Sequence, residues 1–338
     1  MAKIPIPPDG YCYHNVALGV PPTEFRTALK AWTDLVGKGI YAHHEAGGLA
    51  FHAAENFWMC SEQYGYKPFL NEGLIKALSM SLSPTVIYTD PNQAKDDWTV
   101  RDIANGVWDS KIRQFAQETI AFGYPLMIRF GGEMNICQGD ASWVGAFSFG
   151  KNPADFIAAW RRLVDVFREE GADNAVFQFG PNCMDIGPHH WAEYYPGDDY
   201  VDWVGFSIYQ YEPEMDPDKY MAIYDDYANR KPIIIPEWAV NWASNPATDE
   251  QRARWLRDFF AAVEARPKIK AISYHNFPEY RFDPYSLPLT TAAYRNGIAN
   301  PRYISEVPPT PTPPRLPTWV IPVALLGAFL LYLATKKK

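Results

Sequence analysis

Two glutamates stand where predicted strands end, and their positions indicate a catalytic pair. Glu133 follows the predicted strand at residues 125–130 after two glycines, and Glu237 directly follows the predicted strand at residues 232–236. A carboxylate at the end of an apolar strand is costly to bury without a partner or a chemical role. The alternative is that each glutamate is a salt-bridged strand-end residue.

A pair of carboxyl groups facing each other suits glycoside hydrolysis. One must be protonated to donate to the leaving oxygen, while the other must be ionised. A separation of about 5–5.5 Å would give retention through a covalent glycosyl-enzyme, and a wider gap would admit water and give inversion. The residues by themselves leave both outcomes open.

The elements that position this pair alternate between strands and helices. Strands are predicted at residues 13–18, 39–44, 85–89, 125–130, 175–179, 203–209, 232–236 and 271–275. Amphipathic helices are predicted at residues 23–36, 72–82, 100–122, 154–170, 217–229 and 249–265.

Eight strands that alternate with helices predict an α/β fold, a (β/α)8 TIM barrel, with reactive groups at the carboxyl ends of its strands. The alternative architecture is an open, doubly wound sheet. No GxGxxG motif follows the first strand and no phosphate-binding loop motif occurs, so a nucleotide-binding fold has no support.

Several longer motifs together resemble glycoside hydrolase family 26, a β-mannanase-like family of the large (β/α)8 clan. They are NGVWDS at residues 105–110, PLMIRFGGEMN at 125–135, FIAAWRR at 156–162, YPGDDYVDWVG at 195–205 and KPIIIPEW at 231–238. The order and spacing of these motifs span roughly residues 10–290.

The resemblance implies a retaining endo-β-glycosidase. Glu133, in the Glu-Met-Asn motif that ends at Asn135, would be the acid/base, and Glu237 would be the nucleophile. Tyr209 matches the family tyrosine that hydrogen-bonds the nucleophile, and Arg129 matches the arginine that helps to keep it ionised. A nearby cation and a hydrogen-bond donor both favour the charged form of a carboxyl group.

Two departures from the family pattern affect the expected substrate. Gly132 stands where the family has a histidine, and the family tryptophan that follows Glu-Met-Asn is absent from its usual place. Trp143, in a longer loop, is the candidate for the same sugar platform. The resemblance implies a β-mannan-type polysaccharide, and these departures leave β-glucan or β-xylan as alternatives. The rival function is a non-catalytic carbohydrate-binding or adhesion protein.

Further candidates for contacting or supporting the substrate lie near strand ends. His44 ends the second predicted strand, although a histidine satisfied by backbone groups is the alternative there. Trp238 follows the nucleophile, and His275 and Asn276 end the eighth strand. The histidines lack the spacing of a metal site, so neither a metal nor another cofactor is expected.

The composition fits a polysaccharide or oligosaccharide partner and argues against nucleic acid. The net charge is -8, and no run rich in lysine and arginine, as a phosphate backbone would require, occurs before the last three residues. Aromatic residues make up 15% of the chain. They either pack in the core or provide flat surfaces on which sugar rings stack.

The end of the chain predicts a membrane anchor. We divide the chain into a catalytic barrel at residues 1–305, a Pro-rich linker at 306–315 and a transmembrane helix with a lysine tail at 316–338. About twenty uncharged residues suffice to cross a bilayer. The three final lysines place the barrel outside by charge bias, but no signal peptide is recognised at residues 1–10. A tail anchor with a cytoplasmic barrel, or a virion membrane, is the alternative.

Overall fold

The computed structural model describes residues 3–50, 65–83, 98–136, 152–241 and 246–307. Its strands, in chain order, are β1 Cys12–Ala17, β2 Ala42–Ala50, β3 Ala77–Ser83, β4 Leu126–Phe130, β5 Ala175–Phe179, β6 Trp203–Gly205, β7 Ile208–Tyr209, β8 Ile233–Ala239, β9 Ile269–His275 and β10 Tyr303–Ile304.

These strands form a closed parallel barrel. Pairing runs from β1 through β2, β3, β4, β5 and β6 to β8, and β9 pairs with both β8 and β1. The β1–β9 register extends from Tyr13 opposite Ala271 to Ala17 opposite His275. Because β6 and β7 both pair with β8, they are two stretches of the sixth barrel position. The predicted (β/α)8 barrel is confirmed.

Helices cover the outside of the barrel. They are α1 Pro22–Val36, α2 Tyr66–Asn71, α3 Trp98–Ala104, α4 Asp109–Phe122, α5 Pro153–Glu170, α6 Ala222–Tyr227, α7 Asp249–Glu264 and α8 Pro288–Ile298. The side chain of Asn152 caps α5, and Thr248 with Gln251 forms a capping box that begins α7. Gly123 and Gly171 end α4 and α5 in the left-handed conformation, where glycine is favoured.

The third barrel position corrects the sequence prediction. A helix is predicted at residues 72–82, but the strand β3 occupies Ala77–Ser83. Its segment ALSMSLS alternates large apolar and small residues, and Leu78, Met80 and Leu82 are fully buried. This period of two is the strand pattern. The strand predicted at residues 85–89 lies outside the described residues.

Two other predicted helices are shorter than expected. The helix expected at residues 100–122 is divided into α3 and α4 around Gly106, which has a φ of 80°. The helix expected at residues 217–229 becomes a 3-10 turn, Pro217–Tyr220, followed by α6. The helices α2 and α8 have no counterpart in the sequence prediction.

The barrel interior is filled by its own small group of buried side chains. The rings of Tyr13 and Tyr41 stack with centroids 3.7 Å apart, and Met127, Trp203 and Ile234 pack in the same cluster. A separate, larger cluster lies between the strands and the helices. The inner space is a packed core, as in other (β/α)8 barrels.

The predicted membrane anchor cannot be compared with the structure. Residues 308–338, which include most of the predicted linker and all of the predicted transmembrane helix, lie outside the described residues. In the ranges that are described, no helix is both long and apolar enough to cross a bilayer.

Candidate active site

Glu237 lies in β8 and meets Arg129, which lies in β4 on the far side of the barrel. The Nη1 atom of Arg129 donates a hydrogen bond to Oε1 of Glu237 at 2.6 Å. The arginine side chain is 2% exposed and the glutamate side chain 12% exposed. An ion pair this well shielded from water retains most of its Coulomb interaction.

Two further groups contact the same carboxylate. The hydroxyl of Tyr209, at the end of β7, donates to Oε2 of Glu237 at 3.2 Å. Nε2 of His44 lies 3.5 Å from Oε1, while its Nδ1 lies 2.9 Å from Oγ of Ser79. Burial by itself would raise the pKa of Glu237, but Arg129 and His44 outweigh burial and hold the pKa well below its usual range. The carboxylate is therefore ionised.

Glu133 lies in the turn that follows β4, and its backbone has a positive φ of 61°. A non-glycine residue in this region costs about 1–3 kcal/mol, so surrounding contacts must hold it. Its backbone N–H donates to Gly180 O at 2.9 Å, and Nδ2 of Asn182 donates to its Oε1, also at 2.9 Å. This turn aims the side chain at the mouth of the barrel.

The pKa of Glu133 is shifted in the opposite direction to that of Glu237. Burial raises it, the negative charge of Glu237 raises it further, and Arg129 and Asn182 oppose this only in part. The pKa values of the two carboxyl groups are thus shifted apart, upward for Glu133 and downward for Glu237. Environments that separate two carboxyl pKa values in this way suit one group to donate a proton and the other to stay ionised.

Asn135 holds the loop after β5 by hydrogen bonds to its backbone. Its Nδ2 lies 3.0 Å from the carbonyl oxygens of both Asn182 and Met184, and its Oδ1 accepts from the backbone N–H of Asn182 at 2.8 Å. The side chain is 1% exposed. Asn135 therefore fixes the loop that carries Asn182.

His275 joins the site from the end of β9. Its ring stacks on Phe277 with centroids 4.0 Å apart and meets the Tyr209 ring edge-on at 5.9 Å. Burial lowers the pKa of His275 to about 4 although the charge of Glu237 opposes this, so the imidazole is neutral. The neighbouring Asn276 is half-buried and its backbone N–H donates to Ala17 O at 2.8 Å.

One candidate from the sequence, Trp238, is not brought to the carboxylates. Trp238 is fully buried and stacks on Phe259 at 4.1 Å, in the layer between the barrel and α7. Because adjacent residues in a strand point to opposite faces, Trp238 faces away from the side that Glu237 occupies. It is a core residue and not a sugar contact. Trp143 lies outside the described residues.

The sequence prediction missed three polar residues of the site. Asn182 follows β5, Ser207 lies between β6 and β7, and Tyr211 follows β7. Ser207 Oγ accepts from Nη2 of Arg129 at 2.7 Å, and the Tyr211 hydroxyl accepts from Nδ2 of Asn182 at 2.8 Å. The rule that reactive groups follow barrel strands could have identified all three.

Metal binding finds no support in the parts of the chain that the structure describes. There, no group of three or more His, Cys, Asp or Glu side chains is placed to hold an ion. The chemistry derived below rests on the carboxyl groups of the site and their neighbours.

Comparisons with known proteins find a family model and two curated relatives that match parts of this chain. The model of glycosyl hydrolase family 26 matches residues 102–263. Endoglucanase H of Acetivibrio thermocellus is 30% identical over 238 residues, which are 64% of this chain and 26% of that protein. A β-1,3-xylanase of a Vibrio species is 26% identical over 198 residues, which are 52% of this chain and 41% of that protein.

A solved structure shares the fold. The double mutant of the Cellulomonas fimi endo-β-1,4-mannanase superposes with a TM-score of 0.61 and 15% identity, covering 88% of this chain and 72% of that one. The fold and site thus define a (β/α)8 barrel with a carboxyl pair at its mouth. Arg129, Glu133 and Glu237 all lie within the region that matches glycosyl hydrolase family 26. The chain spans less than half the length of either curated relative.

Proposed function

We propose that this chain is a retaining endo-β-glycosidase that hydrolyses a β-linked polysaccharide. The observation that carries the proposal is the contrast between the environments of two carboxyl groups at the barrel mouth. Arg129 donates to Glu237 at 2.6 Å and holds its pKa low, while burial and the charge of Glu237 raise the pKa of Glu133.

In the first step, a carboxylate oxygen of Glu237 attacks the anomeric carbon while Glu133 gives its proton to the glycosidic oxygen. The bond to the leaving sugar breaks and a glycosyl ester forms on Glu237. In the second step, Glu133, now a carboxylate, takes a proton from water. The water oxygen attacks the anomeric carbon, which returns Glu237 as a carboxylate and Glu133 as an acid.

The supporting residues act on these charges. Arg129 stabilises the carboxylate before attack and again as it departs, and Tyr209 holds Oε2 so that one oxygen is directed to the sugar. His44 and His275 are neutral near the same carboxylate and can hydrogen-bond sugar hydroxyls without adding charge.

The substrate class follows from the relatives and remains part of the proposal. The similar proteins are named as an endoglucanase, a β-1,3-xylanase and an endo-β-1,4-mannanase. All three act on β-linked polysaccharides by those names. We propose a β-mannan-type polymer as the first candidate. β-Glucan and β-xylan are kept as alternatives because Gly132 departs from the family's histidine.

Hydrolysis of a polymer panel tests the proposal. The full chain in mild detergent would be incubated with β-mannan, glucomannan, mixed-linkage β-glucan, β-1,4-xylan and β-1,3-xylan, beside Glu133→Ala and Glu237→Ala variants. We expect shortened chains from one polymer class and none from either variant. Binding of a polymer without cleavage by the folded wild type would instead support the non-catalytic alternative.

The stereochemistry and the nucleophile are tested separately. Proton NMR of the first product should show the β anomer, because two displacements restore the configuration. A 2-deoxy-2-fluoro-β-glycoside of the preferred sugar with a good leaving group should leave a covalent adduct on Glu237. An initial α product would overturn the retaining mechanism.

We also propose that the chain is anchored to a lipid bilayer by residues 316–338, with the barrel facing outward. An uncharged stretch of about twenty residues and its lysine tail support this placement. The full chain should sediment with membranes, and a chain ending at Val307 should not. Protease added to intact cells should release the barrel, and a protected barrel would overturn the outward orientation.

A further inference from the structure

The side chain of Arg129 lies between two glycines that leave no room for a methyl group. A Cβ atom on Gly132 would lie 2.7 Å from Cζ of Arg129 and 2.8 Å from its Nε. A Cβ on Gly180 would lie 2.5 Å from the same Nε. Cβ atoms essentially never approach other heavy atoms this closely, so an alanine at either position requires the arginine side chain to shift.

Backbone conformation does not account for these glycines. Neither Gly132 nor Gly180 has a positive φ, so the backbone at both positions suits any L-residue. The adjacent Gly131, by contrast, has a φ of 57°. The lack of a side chain at positions 132 and 180 is therefore related to the space that Arg129 fills.

That space determines four hydrogen bonds of the guanidinium. Nη1 donates to Glu237 at 2.6 Å and Nη2 to Ser207 Oγ at 2.7 Å, while Nη2 and Nε both donate to Gly180 O, at 3.0 Å and 3.3 Å. The same carbonyl accepts the backbone N–H of Glu133 at 2.9 Å. The carbonyl of Gly180 thus holds both the arginine and the backbone of the other catalytic carboxyl.

We propose that Gly132 and Gly180 are positioning residues, whose missing side chains let Arg129 lie against both the nucleophile and the Gly180 carbonyl. The inference rests on the proposed function and deepens it.

The displacement of Arg129 should act on Glu237 more than on any other group. The titratable groups that surround this carboxylate come from β2, β4 and its following turn, β7, β9 and the segments that follow β7 and β9. They are His44, Arg129, Glu133, Tyr209, Tyr211, His275 and Tyr280. Both histidines have lowered pKa values because they are buried. Arg129 is thus the one permanent cation of this set.

A single alanine at each glycine tests the proposal. The atoms that collide belong to the end of the flexible Arg129 side chain and, at Gly180, also to the end of Gln178. We therefore expect Gly132→Ala and Gly180→Ala to fold with the arginine displaced. Gly39→Ala is the matched control, since its Cβ would meet Ser305 Oγ at an ordinary 3.6 Å and its φ is not positive.

The expected result is a shift in the pH profile of kcat/KM. Activity requires ionised Glu237, so the acid limb should move up by about one pH unit or more in both variants. At a pH below the new limb, kcat/KM should fall at least about tenfold, while Gly39→Ala keeps the wild-type profile. An unchanged acid limb in both variants, with their unfolding midpoints near wild type, would overturn the proposal.

A double-mutant cycle separates positioning from general damage. In an Arg129→Met background the cation is already absent, so Gly132→Ala should cause no further shift of the acid limb. An additional shift of the same size as in the wild-type background would show that Gly132 acts elsewhere, and would contradict the inference.

A readout without substrate keeps this test independent of the proposed function. Carbon NMR of glutamate labelled at Cδ, assigned by difference from Glu237→Gln, follows the carboxyl directly. Glu237 should stay ionised to the lowest pH at which the wild type is folded, and should titrate nearer the usual glutamate range in Gly132→Ala. This shift would support the positioning role of the two glycines even if no tested polymer were hydrolysed. Its absence would contradict that role.

Discussion

Asn182 donates a hydrogen from its amide nitrogen to Oε1 of Glu133 at 2.9 Å. An oxygen that accepts this hydrogen bond is a poor place for the acidic proton, so the proton of Glu133 belongs on Oε2. The other amide hydrogen goes to the Tyr211 hydroxyl at 2.8 Å, and the amide oxygen accepts from the Met184 N–H at 3.0 Å. All three bonds fix the amide, and with it the oxygen that gives the proton.

Replacement of Asn182 should change the basic limb of the pH profile. Glu133 must be protonated, so activity is lost as pH rises through its pKa. Because the bond from Asn182 lowers that pKa, Asn182→Ala should move the basic limb up by about half a pH unit and lower kcat through loss of orientation. The measurement is kcat/KM between about pH 5 and 9.

Asn182→Asp gives the matched comparison. It keeps the oxygen that accepts from Met184 and replaces the donor to Glu133 by a second carboxylate oxygen. Like charges that close raise the pKa of one partner, so the basic limb should move further than in Asn182→Ala. Identical basic limbs in both variants and the wild type would disprove the assigned role.

Tyr209→Phe should lower kcat with little effect on folding. The hydroxyl donates to Oε2 of Glu237 at 3.2 Å, and a hydrogen bond to a charged group contributes about 1.5–3 kcal/mol. The expected loss in kcat is therefore about tenfold to a hundredfold. Tyr13→Phe is the control, because its hydroxyl donates to Pro5 O away from the carboxylates. Equal effects of the two substitutions would show that the Tyr209 bond is only structural.

The parts of the site that the sequence predicts are those set by strand ends. Glu133 and Glu237 directly follow or end apolar runs, and Arg129 lies within one, so the barrel rule by itself predicts that the three lie together. The wrong prediction at the third strand has a different origin. Around β3, Leu74, Leu78 and Leu82 recur every four residues as in a helix, whereas Leu78, Met80 and Leu82 alternate with small residues as in a strand, and the structure follows the second pattern.

The remaining residues of the site depend on contacts that no local pattern contains. Asn182 and Asn135 are 47 positions apart in the chain, yet the amide of one fixes the backbone of the other. The need for glycine at position 180 arises from Arg129, which lies in the preceding strand of the barrel. Trp238 packs in the core layer because adjacent residues in a strand, here Glu237 and Trp238, point to opposite faces.

Trp238→Phe should therefore affect stability and not substrate binding. The indole is fully buried against Phe259, Trp255 and Tyr294. A smaller ring leaves a cavity, so we expect the free energy of unfolding to fall by about 1–3 kcal/mol in urea denaturation. KM should stay within about twofold, as it should for Trp255→Phe. A raised KM with unchanged stability would restore Trp238 as a sugar platform.

His14 should make the barrel less stable in acid. It is fully buried, with Nδ1 at 2.8 Å from Gly39 O and Nε2 at 3.1 Å from the Tyr294 hydroxyl. Burial lowers its pKa from 6.5 to about 4, although the bond to Gly39 opposes the shift. Between these values the unfolded chain binds a proton that the native chain does not, so stability present at neutral pH is lost as pH falls.

The sign of this effect is tested by comparing the wild type with His14→Gln, which keeps a donor for Gly39 O and cannot titrate. Urea denaturation at about pH 7, 6 and 5 gives the free energy of unfolding of each. The advantage of the wild type should shrink by roughly 1 kcal/mol per pH unit below about 6.5, because one proton separates the two states. The pKa of His275 is also lowered, but His275 is present in both proteins and its contribution cancels in the difference. A difference that stays constant from pH 7 to 5 would mean that the pKa of His14 is not lowered in the folded barrel, and that its two hydrogen bonds offset its burial.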